Sequence, residues 1–363
     1  MDIPEIRIDP ITKERVVFSP GRFSRPHDVE SAAIETDLPV QQDHACPFCP
    51  GNEHKTPASL KTHNPHSSIL YYSDGNGSWT TRVFPNKFPI FNLEGSLDHR
   101  VNGIYESMGA YGAHEVIVES RHHEADIHSM PEEWVFRMLL AYQERAKDLR
   151  GNKNLKYVSI FRNDGKEAGA SLSHPHSQLI AEPTIPTHHQ NLFANLSAFQ
   201  QQYSSCAFCS LIKYEIKDAR RVVCQNDDYL AFTPYASKYP YTVNIIPLQH
   251  QPWFEESTKE NLKNLTSILK DVMGALHRGL RDPPYNWYLR NAPVNTGLED
   301  FLQQNWHVKL TIIPRTSTQA GYEQDTHNAV NTVLPETAAK DLREMIKLLQ
   351  EEKREKELAP VGG

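Results

Sequence analysis

Long apolar runs are missing from this 363-residue chain. Its most apolar stretches, such as Met138-Leu139-Leu140-Ala141, fall far short of the roughly 20 residues a membrane-spanning helix needs. Met1-Asp2-Ile3-Pro4 opens no signal peptide, so the cytosol is the expected compartment. Cysteine is scarce, five in all, which excludes a disulfide scaffold. Positive charge is not in excess either: Lys+Arg number 38 against 45 Asp+Glu, a net charge of −7. No global field therefore exists to hold a polyanion such as DNA, no nucleic-acid partner is expected, and a small anionic substrate has to be held by local groups. The phosphate-cradling pattern GxxxxGK(S/T) is absent as well. What remains, 39% apolar and 9% aromatic, is an ordinary globular composition in a chain long enough for two domains.

Against that background, 18 histidines and the placing of four of the five cysteines in two C-x-x-C pairs stand out. The pairs belong to a longer internal duplication. Cys46-Pro47-Phe48-Cys49 is echoed by Cys206-Ala207-Phe208-Cys209, and Asn86-Lys87-Phe88-Pro89 by Ser237-Lys238-Tyr239-Pro240. A β-rich run, Val116 to Ser120, leads into His122-His123; Val243 to Pro247 leads into Gln249-His250. Tyr157 to Asn163 matches Tyr285 to Asn291 with Tyr, Arg and Asn at equal offsets. Last, His174-Pro175-His176-Ser177-Gln178-Leu179-Ile180 corresponds to His307-Val308-Lys309-Leu310-Thr311-Ile312-Ile313, both read as strands.

Between these echoes lies a helix in each half. One opens with Pro131 at its first turn and runs through Leu149, with Trp134, Met138, Ala141 and Tyr142 as its core stripe. The other spans about Lys259 to Leu280, with Leu262, Leu265, Leu269 and Val272. The chain thus reads as an α+β unit with a mainly antiparallel sheet, used twice. Residues 1–182 form the first half, 183–205 the connection and 206–363 the second, closed by a helix from about Pro335 to Glu352.

Zinc favours four thiolate and imidazole ligands, and C-x-x-C sets two thiolates on adjacent corners of a tetrahedron. The duplication supplies two histidines to each pair: Cys46, Cys49, His123 and His174 in the first half, Cys206, Cys209, His250 and His307 in the second. Two zinc sites are expected, both structural because neither set leaves a position for water. Cys224 matches nothing and reads as a small buried residue.

The copies differ where chemistry is expected. On a strand, His174, His176 and Gln178 form one row, with Ser177 and Leu179 on the other face. The second copy reads His307, Lys309, Thr311, so only the first half offers histidine chemistry and one active site per chain follows. His176 is either a buried polar histidine or a nucleophile towards phosphorus, since neutral imidazole attacks well and leaves as a cation. Upstream, Asn163-Asp164-Gly165 and Gly169-Ala170-Ser171 read either as a plain loop or as one that brings backbone N–H groups to phosphate. Arg22 and Arg25 are surface residues or a paired phosphate clamp.

These segments resemble the galactose-1-phosphate uridylyltransferase family, a branch of the histidine-triad superfamily that includes ADP-glucose phosphorylase-like members. The likeness runs from Asp9-Pro10-Ile11-Thr12 and Ser19 to Pro26, through Cys46 to Cys49, to Gly321-Tyr322-Glu323. It implies two histidine-triad-like halves, His176 as nucleophile and His174 as a zinc ligand. It further implies phosphate contacts for Asn163, Gly165, Ser171 and Gln178, a nucleoside contact near Asn86, sugar contacts for Tyr322 and Glu323, and Arg22 and Arg25 reaching the neighbouring subunit of a homodimer. The implied reaction is ping-pong transfer from UDP-glucose to a hexose 1-phosphate such as galactose 1-phosphate, through a nucleotidyl-histidine. Gln178 cannot act as a general acid or base at neutral pH, which favours a transferase over a hydrolase. Adenylyl transfer from ADP-glucose to phosphate is the alternative, pointed to by Ser177 after the nucleophile and by the second cysteine pair. A dinucleotide hydrolase and a nucleotide sensor without turnover are further ones.

Overall fold

The computed structural model describes residues 3–21, 43, 45–60, 72–73 and 79–358. Ten of its strands share one sheet whose order displays the duplication. From one edge run β3 (Tyr72–Ser73), β4 (Trp79–Pro85), β7 (Ala113–Val118), β9 (His176–Glu182) and β8 (Tyr157–Asp164). Then follow β13 (Tyr285–Arg290), β14 (Lys309–Pro314), β12 (Val243–Pro247), β11 (Tyr229–Phe232) and β10 (Val222–Gln225). The order is palindromic: the halves meet where β8 pairs with β13, Phe161 opposite Tyr288, and every pairing in the sheet is antiparallel. Strands β1 (Glu5–Ile8), β2 (Arg15–Phe18) and β15 (Ala329–Asn331) form a separate small sheet, and β5 (His99–Asn102) with β6 (Tyr105–Met108) an exposed hairpin.

Helices α1 (Glu132–Arg150), α4 (Lys259–Leu280) and α7 (Pro335–Leu358) cover one face of the sheet and build the main core with Ile117, Leu179, Ile245 and Ile312. In α4 the apolar stripe repeats at helical spacing, and Thr258 caps the helix: its hydroxyl accepts from the Asn261 N–H at 3.1 Å and the Asn261 side chain accepts from the Thr258 N–H at 2.9 Å. Replacing the fully buried Leu269 by alanine costs about 2–5 kcal/mol. In α1, Met138, Ala141 and Tyr142 are buried as the spacing predicts, whereas Trp134 is half-buried and stacks on His122 at 5.3 Å. Pro131 stands at the cap, its ψ of 144° outside the helical region, so the helix begins one residue later than read.

The other face is filled unequally. In the second half, α2 (Thr187–Tyr203), α3 (Ala207–Asp218) and α5 (Glu299–Asn305) close over Phe232, Ile246 and Trp306, with Ile11 added from the N-terminal turn. Helix α2 occupies most of the segment expected to connect the halves. In the first half the corresponding face carries a smaller cluster, Cys46, Phe48, Cys49, Trp79, Phe84, Val116 and Val118. Helix α6 (Gly321–Thr326) follows β14. Among the described residues no helix is long and apolar enough to cross a membrane.

Candidate active site

Two C-x-x-C turns meet two pairs of histidines. Ligand atoms of Cys46, Cys49, His123 and His174 lie within 4.8 Å of one another, as do those of Cys206, Cys209, His250 and His307. In the first cluster Cys49 Sγ is 3.4 Å from His123 Nδ1 and 3.5 Å from His174 Nδ1, and Cys46 Sγ is 3.7 Å from His174 Nδ1. A tetrahedral zinc with ordinary Zn–S and Zn–N bonds sets such edges at about 3.6 Å. His174 Nε2 donates to the Ser120 carbonyl at 2.7 Å, so its Nδ1 lone pair is left for the cluster; His123 Nε2 meets Ser173 Oγ at 2.9 Å. The second cluster presents His250 Nδ1 and His307 Nε2, 3.3 and 3.2 Å from Cys209 Sγ. Both donor sets fit a metal ion.

The first cluster fixes the start of the row read on β9. His174 and His307 stand two residues ahead of their strands instead of within them, because they turn to the clusters and because Pro175 has no N–H for the ladder. His176, the first residue of β9, is 8% exposed, with the edge of its ring against Phe48 at 5.2 Å. Its Nδ1 lies 2.8 Å from the His174 carbonyl oxygen. A carbonyl only accepts, so Nδ1 carries the proton and Nε2 keeps its lone pair. Burial holds the imidazole pKa below its ordinary 6.5, assisted by the Arg162 charge and against the His174 hydrogen bond, so the ring is neutral at pH 7. A buried, oriented, neutral imidazole is what nucleophilic attack needs.

Beneath His176 lies a polar network that sequence reading missed. Ser177 points to the helix face, where its hydroxyl donates to the fully buried carboxylate of Glu119 and meets Tyr142 Oη. Tyr142 Oη donates to the same carboxylate at 3.0 Å. Arg162, 1% exposed, lies 3.3 Å from Glu119, 2.7 Å from Asp126 and 3.0 Å from Asp164. Register explains why the matched arginines differ. Arg162 opposes Ser177, three residues after its cluster histidine, whereas Arg290 opposes Lys309, two residues after its own. The equal offsets in sequence therefore slip by one in the sheet, and the slip puts the two arginines on opposite faces.

On the His176 face, Gln178 opposes Phe161 and Val116, and Asn163 comes one residue beyond the Arg162–Ser177 pair, beside His176. Asn163 Oδ1 accepts from Asn286 across the junction of the halves at 2.7 Å, and Arg315 donates to Asn286 in turn. Asn86 Nδ2 lies 3.5 Å from Gln178 Oε1, so that predicted contact joins the row. Gly165, at φ 81°, has no room for a Cβ, which would sit 2.8 Å from Pro284; with Gly169 it folds a tight turn that leaves Ser171 exposed. Tyr322 and Glu323 lie on α6, Tyr322 half-exposed and Glu323 accepting from the Ala320 N–H at 3.0 Å; no hydrogen bond joins either to His176 or Gln178. Arg22 and Arg25 fall outside the described residues. Sequence reading also passed over His114, whose Nε2 is 2.8 Å from Gln178 Oε1. Its alternation with Val116 and Val118 was the available signal.

In the second half the corresponding row carries other side chains. Lys309 takes the place of His176, and Thr311, at the place of Gln178, donates to Asn244 at 2.8 Å. The cavity that Lys309 lines with Asp9, Thr12 and Arg290 is about 20 Å³, space for one water.

A family model described as galactose-1-phosphate uridyl transferase, N-terminal domain, matches residues 1–186. The chain belongs to the galactose-1-phosphate uridyl transferase family. It is an enzyme, a nucleotidyltransferase. A second model, described as a domain of unknown function (DUF4921), matches residues 104–361. ADP-glucose phosphorylase of Arabidopsis thaliana is 29% identical over 344 residues, covering 94% of this chain and 93% of that one. Galactose-1-phosphate uridylyltransferase of Thermotoga maritima is 27% identical over 349 residues, covering 94% and 98%. The solved structure of the Arabidopsis thaliana ADP-glucose phosphorylase with bound ADP-glucose is similar with a TM-score of 0.79 at 28% identity, over 94% of this chain and 99% of that one. A uridylyltransferase structure gives 0.71 at 26% identity, over 96% and 99%. The mixed α+β fold with two histidine-triad-like halves is thereby established for this family member.

Proposed function

We propose that this chain moves a nucleotidyl group from a nucleotide sugar to a phosphate-bearing acceptor through a covalent intermediate on His176. His176 Nε2 attacks the α-phosphorus, the bond from phosphorus to the sugar 1-phosphate oxygen breaks, and the sugar 1-phosphate departs. An oxygen of the acceptor phosphate then attacks the same phosphorus, the P–N bond breaks, and neutral imidazole returns. The observation that carries this reading is the 2.8 Å contact of His176 Nδ1 with a carbonyl, which leaves Nε2 the free nitrogen. Gln178 and Asn163 lie on the same face beside it, the family resemblance adds Ser171 and the Gly165 turn as phosphate contacts, and the expected leaving group, already a phosphate, needs little protonation.

UDP-glucose as donor with a hexose 1-phosphate as acceptor is one form of the reaction. ADP-glucose with inorganic phosphate is the other, and the likeness to ADP-glucose phosphorylase, the second Cys/His cluster and Ser177 bring it level with the first. Both clusters take zinc in this reading, and when bound the ion acts as a structural cross-link, since four protein ligands leave no open position. Tyr322 and Glu323 bind the sugar, and Arg22 and Arg25 serve the site of a second copy in a homodimer; these roles rest on the family resemblance. The test is exchange of labelled glucose 1-phosphate into UDP-glucose and into ADP-glucose with no other acceptor present. Exchange that is lost in His176→Ala supports a nucleotidyl-enzyme and names the base; turnover without exchange refutes it.

A further inference from the structure

The orientation of Gln178 is set by His114. This histidine is buried on β7, and the residues that follow it on the same face, Val116 and Val118, oppose Gln178 and His176. Its contacts with Ile90 and Gln178 fix one assignment. The backbone N–H of Ile90 is 3.2 Å from His114 Nδ1, and an N–H only donates, so Nδ1 accepts. The opposite tautomer, or a doubly protonated ring, would set two N–H groups against each other. The ring is therefore neutral with its proton on Nε2, in keeping with a pKa that burial lowers. Nε2 is 2.8 Å from Gln178 Oε1 and donates to it. Asn86 brings a second donor to the same oxygen: its Oδ1 accepts from the Phe88 N–H at 2.8 Å, so Nδ2 is free to reach Gln178 Oε1 at 3.5 Å, and its 3.1 Å approach to His114 Nε2 is a contact between two donors converging on that oxygen, not a hydrogen bond. With its oxygen turned to these donors, the Gln178 amide turns its NH₂ away. That nitrogen has no partner among the described residues, and it lies on the same face as His176, two residues along β9.

We propose that His114 is a positioning residue that commits Gln178 to donating to a phosphoryl oxygen of the group His176 takes up. An amide free to flip would present oxygen to phosphate part of the time, and that orientation repels. The inference rests on the nucleotidyl-transfer reading and extends it to a residue that acts through Gln178.

A double-mutant cycle on the single-turnover labelling of His176 by nucleotide sugar tests it. His114→Phe is expected to slow labelling about ten- to hundredfold while shifting the dissociation constant of the donor less than about threefold. His114→Gln, whose terminal amide can donate from near the Nε2 position, is expected to recover most of the rate. In a Gln178→Ala background His114→Phe is expected to cost less than about twofold. An undiminished penalty in that background, or no recovery with His114→Gln, overturns the proposal. Nitrogen-15 spectra of histidine-labelled protein give a readout independent of turnover. A His114 ring held as the neutral Nε2–H tautomer from pH 6 to 8 supports the assignment, and the Nδ1–H tautomer or ordinary titration refutes it. If neither UDP-glucose nor ADP-glucose labels the wild-type protein, the nucleotidyl-transfer reading falls, and the spectra still decide what orients Gln178.

Discussion

Arg162→Met tests the network that underlies the nucleophile. One guanidinium, 1% exposed, faces three carboxylates, those of Glu119, Asp126 and Asp164, and the substitution keeps side-chain volume while removing the charge. Breaking a buried ion pair by deleting one partner costs about 3–5 kcal/mol, because the other partner stays buried and uncompensated. The loss is expected near the upper end at pH 7.5, since more than one carboxylate is stranded. Its pH dependence gives the refuting handle. In the wild type, burial raises the Asp126 carboxyl, but the Arg162 charge together with the contacts to His128 and Tyr285 outweighs burial and holds it below its ordinary 3.8. Asp126 therefore contributes stability that is present above pH 3.8 and lost only as pH falls through the depressed native value. Without Arg162 only the His128 and Tyr285 contacts oppose burial, the native carboxyl moves up towards or past its unfolded value, and the stability it contributes at neutral pH shrinks, while in acid the difference fades. Glu119, already raised by burial, moves the same way. Urea unfolding of both proteins between pH 5 and 8 is the assay. The gap is expected to be widest at pH 7 to 8 and to narrow towards pH 5. A gap below about 1 kcal/mol, or one constant with pH, contradicts the ion-pair account.

Further expectations follow from single observations. Labelling of His176 by a nucleotide sugar should be flat near neutrality and fall with an acid limb below pH 6.5, because burial depresses the imidazole pKa and only the neutral ring attacks; a limb above 6.5 in a pH–rate profile would contradict that. Metal analysis should find about two zinc ions per chain. Burial pushes the Cys49 thiol up to about 11 in the metal-free protein, so zinc uptake at pH 7 should release protons, measurable in weakly buffered solution; uptake without release would count against thiolate ligation. Lys309→Met removes a cation that faces Arg290 directly across β13 and β14 and whose pKa burial lowers to about 8. It should leave nucleotidyl transfer unchanged and raise stability by up to about 1 kcal/mol in urea unfolding.

The duplication, the two ligand sets and the His176 row were legible because each rests on local spacing: C-x-x-C in a turn, period two on a strand, period 3.6 on a helix. Helix α4 agrees with its apolar stripe, and α7 runs six residues past its expected end because Lys353 to Glu357 are polar but good helix formers, as is Leu358. What was not legible depends on register. Tyr157 to Asn163 and Tyr285 to Asn291 share Tyr, Arg and Asn at equal offsets, yet a one-residue slip turns Arg162 to the helices and Arg290 to the opposite face. Tyr142 read as one more core residue of α1, because spacing shows that a side chain is buried but not that its hydroxyl meets Glu119, 23 residues away. His114 was passed over for the same reason: its importance lies in which nitrogen accepts from Ile90, and that appears only when β7, β9 and the loop after β4 come together.

Intact-protein mass after incubation with UDP-glucose and, separately, ADP-glucose tests the central claim most directly, with His176→Ala as the control. An acid-labile adduct of one nucleoside monophosphate per chain, absent from the variant, is the predicted result, and the base of that adduct identifies the donor. An unlabelled wild-type protein that nonetheless turns over either sugar nucleotide, or an adduct that survives in His176→Ala, would contradict the covalent mechanism.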